Sequence, residues 1–165
     1  MSETETAART TPITAGEDAP DFTLPAIVDG GEQIDVHMAD VWPKGRVLLV
    51  FYQDDGMPIC TSELKAFAQE YDLLHDAGVQ VYAINSNGLG SHAKFHERDH
   101  YPFALISDFY GDAIKAYGLW DEGERKSARA AVIIGTDGKV EHVVPHFNPG
   151  NIAAFEEIFA ALGLV

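Results

Sequence analysis

The segment "RVLLVFYQDDGMPICTSELKAF", residues 46–67, joins a strand pattern to a helix pattern through a short polar loop. The apolar run "RVLLVFY" is typical of a strand buried on both faces. The segment after the loop has apolar residues at a 3,4,3 spacing, which predicts a helix that Gly78 ends. That apolar face carries Leu64, Phe67, Tyr71 and Leu74. Cys60, the only cysteine of the chain, lies where the predicted strand gives way to the helix.

Patterns on both sides of this segment predict the rest of the sheet. The run "VQVYAIN" completes a strand–helix–strand unit, whose strands are expected to lie parallel. Asp29-Gly30-Gly31 and Asp137-Gly138 each join two apolar runs, which predicts an antiparallel hairpin near each end of the chain. Between them, "PFALISD" is a short strand candidate. The order predicts an α/β protein with a thioredoxin-like fold: a mixed sheet flanked by helices, with an N-terminal hairpin.

Three further helices are predicted from periodicity and capping residues. One runs from about Ser91, a candidate N-cap, to Asp99, and a short one ends at Gly118. The last helix is amphipathic. Its predicted core side carries Ile152, Phe155, Ile158, Phe159 and Leu162.

Length and charge restrict the class of protein. The 165 residues suit one domain, predicted over residues 16–165, after a mobile tail of residues 1–15. No apolar stretch approaches the ~20 residues that cross a bilayer, and the first residues lack the apolar core of a secretory signal. A cytoplasmic protein is therefore expected. The formal net charge of −15 disfavours nucleic acid and anionic membranes as partners.

A single cysteine restricts the redox chemistry. It excludes an intramolecular disulfide, Cys-rich zinc sites and a CxxC redox pair. Cys60 is either a small apolar filler or a reactive thiol, because the first turn of a helix lowers the pKa of a thiol placed there. Pro58 suits the start of that helix, and Glu63 is expected to bond back to the loop backbone. Arg129, at the beginning of "AAVIIG", is either a solvated arginine or a guanidinium that holds the thiolate.

Several segments, in register from about Gly16 onward, resemble the peroxiredoxins of the alkyl hydroperoxide reductase and thiol-specific antioxidant type. They are "GEDAPDFTLP", "GRVLLVFY", "PICTSELKAF", "FALISD", "AYGLW" and "ARAAVIIGTDGKV". The resemblance implies a thiol peroxidase with Cys60 as the peroxidatic nucleophile and Arg129 as its electrostatic partner. Glu63 also matches a common family residue. No cofactor or metal is implied.

The chain departs from the family pattern in the loop before the cysteine. Gln53 stands where proline is usual, and Met57 where threonine or serine is usual. The family hydroxyl hydrogen-bonds the peroxide, and a thioether cannot donate such a bond. The side-chain amide of Gln53 is a candidate substitute donor. The predicted substrate-binding residues are therefore Gln53 and Met57, together with Glu63, which matches a common family residue.

The resemblance leaves two functions open. The first is a thiol peroxidase, resolved by an external thiol or a thioredoxin-type reductant because no second cysteine is present. The second is a redox sensor or binding module with weak or no turnover, motivated by the missing threonine. A disulfide reductase is disfavoured by the lack of a second thiol. Relatives often pair through the sheet edge or the active-site face, so a homodimer is expected.

The segment that follows the second parallel strand carries three histidines, His92, His96 and His100, at a spacing of four. Such a spacing is compatible with a zinc or copper site on one helix face. The surrounding charged residues instead indicate a solvated face, which is the interpretation we favour. Asp108 is interpreted as a structural capping residue.

Overall fold

The computed structural model describes residues 9–165, and a seven-stranded mixed sheet forms its centre. The sheet strands, in chain order, are β1 (Thr23–Ile27), β2 (Gln33–His37), β3 (Val47–Phe51), β4 (Gln80–Asn85), β5 (Ala104–Ser107), β8 (Ala130–Ile134) and β9 (Val140–Val144). Two short strands, β6 (Trp120–Asp121) and β7 (Lys126–Ser127), pair separately. The helices are α1 (Met38–Val41), α2 (Pro58–Gln69), α3 (Tyr71–Asp76), α4 (Leu89–Asp99), α5 (Asp112–Ala116) and α6 (Ile152–Ala161).

The strand order is β2-β1-β5-β4-β3-β8-β9. Strands β3, β4 and β5 run parallel, whereas β1 and β8 run antiparallel to their neighbours. The predicted strand–helix–strand unit, both hairpins and the mixed sheet are thus confirmed. Because β8 is antiparallel to β3, Ala130 at its beginning pairs with Phe51 at the end of β3. The loop after β3 and the entry to β8 therefore meet at one edge of the sheet.

The sheet separates two apolar layers. On one face, Leu48 and Val50 of β3 pack in a cluster that includes Phe67 of α2 and Ile158 of α6. On the other face, Val47, Leu49 and Phe51 pack in a cluster with Ile114 of α5 and Met38 of α1. Successive β3 side chains alternate between these layers, as strand geometry requires. The whole strand is buried, which explains its unbroken apolar sequence.

Three details of the predicted helices are wrong. The long helix after the loop is divided at Glu70, whose φ of −99° and ψ of 11° separate α2 from α3. Helix α4 begins one turn earlier than predicted, with Gly88 as its N-cap, so that Ser91 lies inside the helix. Ile152 is 74% exposed at the start of α6, where the helix has not yet reached the core.

The N-terminal segment differs from the predicted tail over residues 9–15, and residues 1–8 lie outside the described part of the chain. Ile13 is only 1% exposed and belongs to the second apolar layer. Its backbone N–H donates a 3.0 Å hydrogen bond to the carbonyl of Tyr117. Arg9 forms a 2.7 Å ion pair with Glu17. Residues 9–15 are thus packed on the domain, because Ile13 supplies an apolar anchor within a polar segment.

Candidate active site

Cys60 lies in the first turn of α2, directly beyond the carboxyl end of β3. Pro58 is the first helical residue, where its missing N–H is not needed, and Met57 is the N-cap. The thiol is completely buried. Its Sγ atom approaches the Sδ atom of Met57 to 3.9 Å. The residue that replaces the family threonine therefore contacts the thiol directly.

The electrostatic environment of Cys60 corrects the expectation of an acidic thiol. Burial is the largest effect and raises the pKa of Cys60. The backbone N–H groups of Asp54 and Gln53 lower that pKa, Glu63 raises it, and Arg129 lowers it, but the net direction is upward. Loss of water around the sulfur thus outweighs the groups that favour the thiolate. The thiol is held in its neutral form by enclosure, not by a lack of stabilising groups.

Arg129 immediately precedes β8, and the antiparallel pairing brings it to the end of β3. Its Nη1 donates a 2.7 Å hydrogen bond to Oε1 of Gln53. Its Nε is buried without a partner among the described residues. The structure thus brings together Arg129, Gln53 and Cys60. Because Oε1 of Gln53 faces Arg129, the NH₂ of that amide is left for another acceptor.

Glu63, three residues after Cys60, does not make the predicted bond to the loop backbone. Its side chain is buried, and neither carboxyl oxygen has a hydrogen-bond partner in the described part of the chain. Burial raises the pKa of Glu63 well above its usual range, although nearby Arg129 lowers it. The arrangement favours an uncharged carboxyl group, since an ionised one would need partners that the site does not provide.

Asp55 fixes the loop between β3 and α2, a role that the sequence did not suggest. Its carboxylate accepts hydrogen bonds from Tyr52 at 2.6 Å and Ser91 at 2.7 Å, and lies 2.6 Å from Nδ1 of His92. Its backbone N–H donates to Asn87 at 2.7 Å. Burial raises the pKa of Asp55, but these donors outweigh it and the net shift is downward. The loop is therefore tied to the beginning of α4.

Asp54 provides a second attachment for the same loop. It forms an ion pair with Lys126 of β7 and accepts a 3.2 Å hydrogen bond from Asn87. Two consecutive acidic residues, three and four positions after the end of the buried strand β3, were the sequence signal available for this loop. Apart from Tyr52, the partners of these two side chains are 30 or more residues away in the chain, and no local pattern identifies them.

The interpretation of a solvated histidine face is wrong for His92 and His96, which are 0% and 1% exposed. His96 places its Nε2 atom 2.8 Å from the carbonyl of Ile27, and burial lowers its pKa. Only His100 is exposed, at the end of α4, 2.9 Å from Asp29. Within residues 9–165, no group of three or more His, Cys, Asp or Glu side chains is placed to hold a metal ion. Asp108 accepts a hydrogen bond from the N–H of Ile114, as its capping role predicts.

Comparisons with known proteins agree with this geometry. The AhpC/TSA family model matches residues 15–143. Peroxiredoxin Bcp of Escherichia coli K12 is 33% identical over 146 residues, which cover 85% of this chain and 90% of that protein. A putative peroxiredoxin bcp of Coxiella burnetii is 31% identical over 139 residues, covering 81% of this chain and 89% of that protein.

Solved structures show the same fold. The reduced 2-Cys peroxiredoxin of Plasmodium vivax superposes with a TM-score of 0.83 at 24% identity, covering 92% of this chain and 81% of that chain. The peroxidoxin BcpB of Mycobacterium tuberculosis gives a TM-score of 0.79 at 24% identity, covering 93% and 98%. Family match, relatives and fold agree on one assignment. The chain belongs to the AhpC/TSA family and is a peroxiredoxin that carries a single cysteine.

Proposed function

We propose that this protein is a thiol-dependent peroxidase that reduces hydrogen peroxide or alkyl hydroperoxides through Cys60. The observation that carries the proposal is the position of Cys60 in the first turn of α2, close to Arg129. A helix terminus and a guanidinium both favour a thiolate, which is the nucleophile in this chemistry. The relatives named as peroxiredoxins support the same activity.

The reaction is a displacement on a peroxide oxygen. The Cys60 thiolate attacks the terminal oxygen, the O–O bond breaks, and Cys60 becomes a sulfenic acid. The departing hydroxide or alkoxide takes up the proton that the thiol lost when it ionised, and leaves as water or an alcohol. Arg129 stabilises the negative charge that develops on the oxygens. Met57 contacts the sulfur, and Gln53 and Glu63 both affect its pKa. We propose these three residues as the substrate-binding side of the site. Because Cys60 is completely buried, a peroxide reaches it only after a covering group moves aside.

The sulfenic acid is reduced by a thiol from outside the chain. Cys60 is the only cysteine of the 165 residues, so no internal thiol is available to form a disulfide with it. A small thiol or a thioredoxin-type reductant supplies the electrons. The site has no requirement for a cofactor, because the peroxide is the oxidant and the thiol is the reductant.

The protein is further proposed to act in the cytoplasm as a homodimer, without nucleic acid or membrane partners. The net charge of −15 supports the exclusion of polyanions. Within residues 9–165, no helix is long and apolar enough to cross a membrane. Phe109 and Tyr110, 64% and 79% exposed, border a groove of about 1110 Å³ beside the ends of the parallel strands. Sedimentation of wild-type protein and a Phe109→Ser variant tests whether this face joins two copies.

A redox sensor or binding module with little turnover is the second candidate. The contact of Met57 with Cys60 and the upward pKa of the buried thiol favour it. Such a protein would be oxidised slowly and would hold its oxidised state. Its fold and its nucleophile would be those of the peroxidase.

The rate at which hydrogen peroxide oxidises reduced Cys60 distinguishes the two candidates. The reference is a free thiol of the same pKa, and intact mass reports the gain of one oxygen. A rate orders of magnitude above the reference, abolished by Cys60→Ser, is expected for the peroxidase. A rate equal to the reference would contradict the peroxidase and support the sensor.

A further inference from the structure

Both ring nitrogens of His92 face hydrogen-bond acceptors. Nδ1 lies 2.6 Å from Oδ2 of Asp55, and Nε2 lies 3.0 Å from the backbone carbonyl oxygen of Ile106. The imidazole is completely buried, and the Asp55 side chain is 5% exposed. No water-facing surface is therefore available to satisfy either nitrogen in a different way.

This geometry restricts the protonation state of His92. A carbonyl oxygen only accepts, so Nε2 carries a proton. If the ring were neutral, Nδ1 would then present a lone pair to the carboxyl oxygen of Asp55 at 2.6 Å, which is favourable only if Asp55 is itself protonated. His92 and Asp55 together therefore hold one proton more than a neutral imidazole and an ionised carboxylate would hold.

The remaining contacts of Asp55 decide where that proton lies. Tyr52 and Ser91 donate hydroxyl hydrogens to the carboxyl group at 2.6 and 2.7 Å, and the amide of Asn85 donates at 3.2 Å. Three donors that converge on one carboxyl group favour its ionised form, because each bond is stronger to a charged acceptor. The proton then belongs to His92.

We propose that His92 is a buried imidazolium whose ion pair with Asp55 locks the loop between β3 and α2, which makes His92 and Asp55 positioning residues for Cys60. The inference rests on the proposed function only in that the positioned group is the peroxidatic sulfur. Asp55 is two residues from Gln53 and one from Asp54. Locking Asp55 fixes the backbone N–H groups of those two neighbours toward the sulfur.

The charged and titratable groups near His92 come from several elements. Around the ring lie Asp55 of the loop, Tyr52 at the end of β3 and His96 on the next turn of α4, while β5 contributes only a carbonyl. Lys94 and Arg98 of α4 line a groove beside Asp55.

Ring ¹⁵N chemical shifts in the intact protein test the ion pair directly. Both nitrogens of His92 are expected to carry a proton, because each faces an acceptor. In an Asp55→Asn variant, Nδ1 is expected to lose its proton, since the neutral amide donates to it instead. A lone-pair nitrogen at His92 in the wild-type protein would overturn the proposal, whatever the activity of the enzyme.

His92→Gln and His96→Gln form a matched pair for the positioning role. Both residues are buried on α4 and both place Nε2 on a backbone carbonyl, but only His92 contacts the loop. His92→Gln is expected to raise the pKa of Cys60, measured from the pH dependence of its alkylation, by about one unit, with about tenfold slower peroxide oxidation at neutral pH. His96→Gln is expected to change neither. Equal effects of the two variants would mean that His92 is merely a core residue.

The ring ¹⁵N shifts and the alkylation profile of Cys60 test this proposal independently of the peroxidase activity. Alkylation of Cys60 does not depend on peroxide binding. If the wild-type protein reacts with peroxide no faster than a free thiol, the peroxidase fails, while the nitrogen shifts and the alkylation profile still test the lock. If peroxide oxidation is fast but His92→Gln alkylates with the wild-type profile, the lock fails and the peroxidase stands.

Discussion

Arg129 donates a 2.7 Å hydrogen bond from Nη1 to Oε1 of Gln53, so the residue that replaces the family proline holds the guanidinium beside Cys60. A proline has no side-chain acceptor, and the contact is therefore specific to this form of the loop. It orients the amide so that its NH₂ is the free end. It also occupies one donor of Arg129, which leaves the others for a peroxide or a thiolate.

Gln53→Glu is expected to slow peroxide oxidation of Cys60 by about tenfold. A carboxylate at this position would neutralise Arg129 and repel the thiolate, so the pKa of Cys60 rises. Gln53→Met, which removes the hydrogen bond without adding charge, is the control and is expected to have a smaller effect. Stopped-flow oxidation rates over a pH series check both variants. Equal rates for Gln53→Glu and wild type would show that Arg129 does not act on the sulfur.

Met57→Thr is expected to raise the rate of peroxide reduction by up to about a hundredfold, because a hydroxyl donor to developing charge is restored at the position that contacts Sγ. Met57→Val has nearly the shape of threonine but no hydroxyl, so it separates donation from the opening of space around the sulfur. The measurement is the second-order rate constant for hydrogen peroxide. If both variants gain equally, access to the buried thiol, and not a missing donor, limits the wild-type rate.

Glu63→Gln is expected to change how stability depends on pH. Because burial raises the pKa of Glu63, the folded protein keeps a proton that the unfolded chain loses above the ordinary carboxyl pKa of 4.5. The free energy of unfolding therefore falls as pH rises from that value toward the raised pKa, by up to about 1.4 kcal/mol per pH unit from this group. Glu63→Gln is expected to lack this slope.

Urea denaturation of both proteins across that pH range provides the measurement. Glu156→Gln, a change at an exposed glutamate on α6, is the control and should retain the wild-type slope. A parallel pH dependence for wild type and Glu63→Gln would mean that the carboxyl group finds a partner in solution.

Gly118→Ala is expected to release the N-terminal segment. Gly118 has a φ of +72°, and a Cβ atom there would overlap the carbonyl oxygen of Thr11. Gly78 has a similar φ of +79° but open space around it, so Gly78→Ala carries the backbone penalty alone. Gly118→Ala should cost about 2 kcal/mol more in free energy of unfolding, with faster amide exchange at Ile13. Equal losses would show that residues 9–15 leave the domain easily.

Local pattern was sufficient for the parallel unit and the two hairpins of this fold. The unbroken apolar run of β3 and the turn residues at Asp29-Gly30-Gly31 and Asp137-Gly138 predicted the parallel unit and both hairpins, because backbone and burial requirements act over a few residues. The position of Cys60 between strand and helix followed from the same pattern, together with its status as the sole cysteine. The segments that resemble the peroxiredoxins occur in the order found in that family, and they predicted the family as well.

Tertiary structure alone decided the environment of these residues. His92 is buried against Asp55 and Ile106, which are 37 and 14 residues away in the chain. Its charged neighbours in the sequence had indicated a solvated position instead. Ile13 is anchored by Tyr117, more than 100 residues later. The pKa of Cys60 followed enclosure, not the helix terminus that the sequence identified.

Spacing along the chain was enough to predict β3, α2 and the position of Cys60 between them, because secondary structure responds to local pattern. The groups that surround the sulfur of Cys60 could not be predicted in this way, because they come from distant parts of the chain. Desolvation, the pairing of Arg129 with Gln53 and the lock between His92 and Asp55 all depend on atoms brought together from distant elements. Electrostatic energies vary with distance in space, and that distance is set by the packing of the whole sheet.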